Sequence, residues 1–185
     1  MTPGISGNWS YGAVAEFSCI TGYVLSHNSS LHCMQNGQWN GTEPTCEIQN
    51  CSFLPQLING KIESLNDTYT YQSVVMYSCD LGFDLNGTTY RTCLASGEWS
   101  GDSPHCQLVN CGKNFTAPEH GNVTYGTETT FASKAFVNCT EGYYLNGSQT
   151  LTCTSDGTWD PQSQTCNALS MNYIFSLYNY TGQHC

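Results

Sequence analysis

Cys19, Cys79 and Cys139 stand sixty residues apart, as do Cys33, Cys93 and Cys153, and again Cys46, Cys106 and Cys166. Cys51 and Cys111 keep the same interval, and so do residues of other types: Gly22, Gly82 and Gly142; Leu25, Leu85 and Leu145; Gly37, Gly97 and Gly157; Trp39, Trp99 and Trp159. Tyr11, Tyr71 and Phe131 complete the set. A fixed period over so many residue types marks tandem copies of one structural unit, which rules out a single large core. Each full unit carries four cysteines. The first keeps Cys19, Cys33 and Cys46, and the register of its opening cysteine falls before Met1. The sequence is therefore expected to begin inside a unit, as a fragment would. Met1 to Tyr11 also lacks the apolar stretch of a signal peptide.

Twelve cysteines in 185 residues mean either a disulfide framework or metal sites. Zinc sites use close pairs such as C-x2-C, and none occurs here; Cys46 and Cys51 are the nearest neighbours, with Cys106 and Cys111 at the same spacing. Disulfides are expected. Size explains the need for them. A unit of about 60 residues buries only about 60% of its extended-chain surface and is marginal without covalent bracing.

The units read as β throughout. Tyr11, Ala13, Ala15 and Phe17 alternate with other residues, as do Tyr71, Ser73, Val75 and Tyr77, each run ending near a cysteine. Period two of this kind is a half-buried strand. Gly22-Tyr23, Gly82-Phe83 and Gly142-Tyr143 mark bends into a further strand. Asn36-Gly37, Ser96-Gly97 and Asp156-Gly157 are tight-turn dipeptides just before the tryptophans. Trp39, Trp99 and Trp159 are the expected core fillers.

The order Cys, aromatic-x-Cys, Gly-aromatic, Cys, Gly-x-Trp, Cys resembles the sushi family, also called complement control protein modules. In the second unit the residues that carry it are Cys51, Pro55, Gly60, Tyr77, Cys79, Gly82, Phe83, Cys93, Gly97, Trp99, Pro104 and Cys106. The resemblance implies an all-β fold of small disulfide-rich modules arranged end to end. Module 1 would span 1–46, module 2 51–106 and module 3 111–166, with 167–185 a poorly ordered tail. It also implies first-to-third and second-to-fourth pairing, which spacing leaves open among three connectivities. Applied here, that pairs Cys19 with Cys46, Cys51 with Cys93, Cys79 with Cys106, Cys111 with Cys153, and Cys139 with Cys166. Cys33 and Cys185 remain unpaired in this scheme. In the chain-entropy model, loops of the two sizes this pairing closes contribute about 4.0 and about 3.6 kcal/mol each, comparable to the net stability of a small domain. Two positions depart from the pattern. Gln164 stands where Pro44 and Pro104 set a proline, and Val137 where Phe17 and Tyr77 set an aromatic. The linkers, Glu47 to Asn50 and Gln107 to Asn110, are short and carry apolar residues expected to pack at the junctions of a partly stiff rod.

Eleven N-x-S/T patterns point to the secretory pathway. Asn8, Asn28, Asn40, Asn66, Asn86, Asn114, Asn122, Asn146 and Asn179 are glycosylation candidates; Asn50 and Asn138, each followed by cysteine, are the least suitable. Fourteen acidic residues against four Lys and Arg give a net charge of −10. That balance disfavours nucleic acid, heparin-like polyanions and anionic membranes as partners. No apolar run approaches a membrane span. An extracellular location, secreted or in an ectodomain, is expected.

Motifs that could carry chemistry are weak. Gly101-Asp102-Ser103 has the residues of a trypsin-like nucleophile loop, but the next residue is Pro104 and a surface loop is the expectation. His27, His32, His105, His120 and His184 lack ligand spacing, and no calcium-loop pattern occurs. No catalytic residue, metal ligand or cofactor is assigned. Phe136, in the register of Met76 and Glu16 on an outward face, is either a contact residue or, at least as readily, a junction residue packing on its neighbour. The function that follows is non-enzymatic binding or adhesion toward extracellular or cell-surface proteins, with complement-related recognition as one form. The stretch from Tyr11 to Cys19 resembles selectin-type repeats, whose extra cysteine pair is absent here. The alternative is a non-catalytic sushi region of a larger secreted serine protease or matrix protein. The ligand is not legible.

Overall fold

A computed structural model describes residues 7–170. Among them every regular element is a β-strand. By density of contacts the chain forms two compact units, one running to Cys79 and taking in Leu85–His105, the other holding Asp80–Asp84 and continuing from Cys106.

In the first module β1 (Val14–Glu16) pairs antiparallel with β3 (Ser30–His32), and β2 (Tyr23–Leu25) with β4 (Cys46–Ile48). The second builds a sheet in the order β5 (Gly60–Ser64), β6 (Val74–Cys79), β8 (Tyr90–Thr92), and a ribbon of β7 (Phe83–Asn86) with β9 (His105–Leu108). The third adds one strand, giving β10 (Gly121–Tyr125), β11 (Lys134–Cys139), β13 (Thr150–Cys153) and β14 (Trp159–Asp160), beside the ribbon of β12 (Tyr143–Asn146) and β15 (Thr165–Ala168). Strand register repeats with the sequence: Val14 faces His32, Val74 faces Thr92, and Lys134 faces Thr152.

Alternation places the core. Val75 and Tyr77 on β6 and Ala135 and Val137 on β11 are buried, while their neighbours face out or lie partly exposed. The strands are shorter than the alternating runs. Tyr11 and Tyr71 lie before them, in turns closed by Ala13 N–H to Ser10 O (3.0 Å) and Ser73 N–H to Thr70 O (2.8 Å). Val137, at an aromatic register, is fully buried beside Leu151 and Trp159. Gln164, in place of proline, is also buried; its amide donates to Pro161 O at 2.8 Å, while its Oε1 has no partner. Asn167 and Ala168, expected in the tail, belong to β15, opposite Tyr144 and Tyr143.

Covalent bonds join Cys19 to Cys46, Cys51 to Cys93, Cys111 to Cys153 and Cys139 to Cys166, closing separations of 27, 42, 42 and 27 residues. Cys79 and Cys106 are disulfide-bonded as well. Cys33 is buried and free, and Cys185 lies outside the described residues. Trp99 and Trp159 lie opposite the braced cysteines Cys93 and Cys153. Trp99 Nε1–H donates to Ser52 O at 2.8 Å, and Trp159 Nε1–H to Gly112 O at 3.0 Å, tying each ring to the residue after an opening cysteine. Trp39 instead meets the edge of Trp9 at 5.6 Å.

Of the apolar linker residues only Val109 is buried in the described structure. Ile48 and Leu108 are exposed (38% and 42%), whereas Val109 is buried. In the first unit Gln49 N–H donates to Gly22 O (2.8 Å), and Tyr71 N–H donates to Gln49 O (2.7 Å). In the second unit Val109 N–H donates to Gly82 O and Phe131 N–H to Val109 O, both at 2.9 Å. Gly22 and Gly82 adopt φ of +85° and +87°, and a Cβ on either would stand 2.0 Å from Tyr71 Cδ1 or 2.2 Å from Phe131 Cδ1. Glycine is required twice over, for the left-handed backbone and for the ring seated on it.

Candidate binding surface

Once staples and tryptophans fill the module interiors, the informative feature is which large apolar side chains remain outside. Phe53 (83% exposed) and Ile58 (76%) are the most exposed of these among the described residues. Both sit on one loop, Ser52 to Asn59, between Cys51 and β5. The loop is held at each end and from below. Its first residue accepts the Trp99 indole N–H and donates its own N–H to Gly97 O at 3.3 Å. Asn59, at its other end, takes a left-handed φ of 57° that turns the chain into β5. Leu54 and Leu57 point inward, 6% and 7% exposed. Pro55 between them fixes its own φ and supplies no N–H. Two buried leucines therefore anchor a loop that holds a phenyl ring and a branched aliphatic chain in water. Such an arrangement has little to gain from solvent and much to gain from a partner.

Sequence reasoning passed over this loop. The run Phe53-Leu54-Pro55-Gln56-Leu57-Ile58 shows four apolar residues, but a proline-interrupted segment has no period to say which two face inward. A signal was present in the repeat itself. The counterpart of Phe53 in the third module is Lys113 by the sixty-residue period, and that of Ile58 is Glu119, which precedes left-handed His120 as Ile58 precedes Asn59, so apolar character here belongs to the second module and not to the shared framework. Phe136 on β11 is 44% exposed, between Thr124 on β10 and Thr150 on β13.

The glycosylation candidates Asn8, Asn28, Asn40, Asn66, Asn86, Asn114, Asn122 and Asn146 are all exposed; Asn179 lies outside the described residues. Asn86 and Asn146 end β7 and β12 at equivalent points. Ser103 is engaged in bracing: Arg91, itself buried, donates to Ser103 Oγ (2.8 Å) and to the carbonyls of Gly101 (2.8 Å), Ser100 (2.8 Å) and Trp99 (3.2 Å). The histidines are used locally. His27 lies 2.8 Å from both Ser26 Oγ and Thr42 O, and His120 stacks on Tyr143 at 4.2 Å. His32 and His105 are exposed, and His184 lies outside the described residues. Among the described residues no group of three His, Cys, Asp or Glu side chains is placed to hold a metal ion, and no helix is long and apolar enough to cross a membrane.

An open groove of about 850 Å³ runs beside the Cys19–Cys46 bond, lined by Ile20, Tyr23 and Pro44 among others. In the third module the matching bond is covered, since Gly121 lies against Cys166 Sγ and Pro118.

The Sushi repeat (SCR repeat) family model matches residues 4–46, 51–106 and 111–166. Among curated proteins, the chain is 40% identical over 164 residues to the rat protein called Sushi, von Willebrand factor type A, EGF and pentraxin domain-containing protein 1, covering 88% of the chain and 4% of that protein. It is 35% identical over 169 residues to human E-selectin (90% of the chain, 28% of the relative), and 35% identical over 176 residues to mouse P-selectin (92% and 23%). The chain thus spans a small part of the length of each relative.

Proposed function

The chain belongs to the Sushi repeat family, and from that premise we propose that it is a non-enzymatic recognition array that binds extracellular or cell-surface proteins, with the Phe53–Ile58 loop of the second module as the contact centre. Its fold is the tandem all-β, disulfide-braced one of that family, and its place is extracellular, secreted or in an ectodomain. One observation carries the reading: a loop fastened by a tryptophan hydrogen bond and two buried leucines displays the two most exposed large apolar side chains described. Similarity to selectins supports adhesion as the setting. Only four Lys and Arg residues stand against fourteen acids, so polyanionic partners are disfavoured and a neutral or basic protein face suits the surface better.

The test is a panel of purified extracellular domains probed with the immobilised chain and with its Phe53→Ser/Ile58→Ser variant. At least one domain should bind the parent, and the variant should lose affinity by about tenfold or more, the range for truncating an apolar anchor. Retained binding by the variant would move the contact centre elsewhere; silence across the panel would remove the adhesion reading.

A further inference from the structure

The outward face of the main sheet differs between the second and third modules at a few coupled positions. Gly60 faces Cys79 and Gly121 faces Cys139, so β10 aligns on β5 with Asn122 in the place of Lys61 and Thr124 in that of Glu63. On the next strands Phe136 faces Thr150 where Met76 faces Tyr90. In the second module protein side chains close this face. Lys61 Nζ–H donates to Glu63 Oε1 at 2.6 Å along β5, and Met76, opposite both Glu63 and Tyr90, is partly buried. In the third module the side chain at that position is a ring and its neighbours are smaller. Phe136 has Thr124 on one side and Thr150 on the other, and stays 44% exposed. What replaces the Lys61–Glu63 ion pair is the acceptor pattern Asn122-Val123-Thr124, on an edge strand and with Asn122 exposed.

We propose that Asn122 carries an N-linked glycan whose first N-acetylglucosamine lies on the Phe136 ring, so that carbohydrate of this chain, and not a second protein, covers the phenyl group. Strand register supplies the approach. Asn122 is directly opposite Asn138, which puts Phe136 on its diagonal and on the same outward face, about 7–8 Å away. A sugar ring attached at Asn122 Nδ2 spans a gap of that size. The polar side chains beside the ring are engaged elsewhere: Gln149 Nε2–H donates to Asn138 Oδ1 at 3.1 Å, and Lys134 Nζ–H to Thr152 Oγ1 at 2.7 Å. The chemistry suits both sides. One face of N-acetylglucosamine is a set of weakly positive C–H bonds that complements the negative face of a phenyl ring, while its hydroxyls stay in water. Apolar ring surface is thereby removed from solvent. The inference rests on passage through the secretory pathway and is independent of the Phe53–Ile58 reading. It does bear on it: sugar closes the third module's sheet face to proteins, while no acceptor pattern falls between Ser52 and Asn59 to cover that loop.

The test uses the full chain secreted from a eukaryotic host, as the parent, Asn122→Gln, Phe136→Ser and the double variant. Peptide mapping should find Asn122 occupied in the parent and in Phe136→Ser. Hydrogen exchange of the Thr140 amide, which donates to His120 O at 2.8 Å at the end of the β10–β11 pair, reads opening of the sheet. Loss of the glycan through Asn122→Gln should lower its protection about twofold to tenfold, the range for one aromatic contact. The same change in the Phe136→Ser background should have no effect, and Phe136→Tyr, which keeps the ring, should keep the coupling. NMR supplies the local readout. After an endoglycosidase trims each glycan to its first sugar, one N-acetylglucosamine spin system should resonate upfield under the phenyl ring. That signal should be absent from Asn122→Gln and unshifted in Phe136→Ser. An unoccupied Asn122 overturns the proposal at its first step. An occupied Asn122 with no upfield sugar signal, or with equal loss of protection in both backgrounds, overturns the packing and leaves Phe136 open to a protein partner.

Discussion

Gly82→Ala and Gly142→Ala are the same chemical change on nearly the same backbone, at φ of +87° and +88°, and differ only in what a new methyl would meet. At Gly142 the described structure leaves open space, so the cost is that of holding an alanine in the left-handed region, about 1 kcal/mol. At Gly82 the Cβ would lie 2.2 Å from Phe131 Cδ1 and 2.5 Å from Cγ, more than an ångström inside ordinary contact. The ring must leave its seat, adding an overpacking cost of about 1–3 kcal/mol. The assay is hydrogen exchange of two amides that report the two glycines, Val109 N–H to Gly82 O and Leu169 N–H to Gly142 O. At low protein concentration, protection of Leu169 in Gly142→Ala should fall about fivefold. Protection of Val109 in Gly82→Ala should fall about fivefold to 150-fold beyond that, since 1.4 kcal/mol is a factor of ten. Gly22→Ala should behave like Gly82→Ala, read at Gln49. Equal losses at Gly82 and Gly142 would mean the ring contributes nothing, and the account of the junctions would be wrong.

Arg91→Leu installs the residue found in register at Leu31 and Leu151, yet should destabilise the second module by about 2–4 kcal/mol. Four acceptors, among them the Trp99 and Gly101 carbonyls, lose their donor; a lowered denaturant midpoint confined to second-module resonances checks it. Gln164→Pro should cost nothing or stabilise by up to about 1 kcal/mol, because it removes a buried oxygen without a partner along with one hydrogen bond; thermal unfolding of the third module reads the sign. Protein from a secreting eukaryotic host should lose mass on enzymatic removal of N-glycans, with Asn86 and Asn146 among the occupied sites by peptide mapping, since both are exposed at strand ends. An unchanged mass would refute glycosylation.

Much of this molecule was legible before any coordinates. A sixty-residue period in cysteine, glycine and tryptophan is a one-dimensional record of a repeated three-dimensional contact set, and Val14–His32, Val74–Thr92 and Lys134–Thr152 pair at that same interval. Alternation works for Val75 and Tyr77 because side chains on a strand must point to opposite faces. It carries no information where the chain leaves the strand. Tyr11 and Tyr71 continue the alternating pattern on paper but sit in turns, and whether each ring is covered depends on a glycine about fifty residues away in register. The loop with Phe53 and Ile58 outside and Leu54 and Leu57 inside was equally hidden, because four apolar residues around a proline have several ways to split between core and water. Nothing in the sequence marked Arg91 for burial, which the carbonyls of the Trp99–Gly101 turn converging on it explain. Periodic spacing alone determined the number of modules, since a repeated contact set leaves a repeated spacing. Which apolar groups stay exposed to a partner was decided by tertiary structure, because exposure is set by neighbours that sequence distance does not reveal.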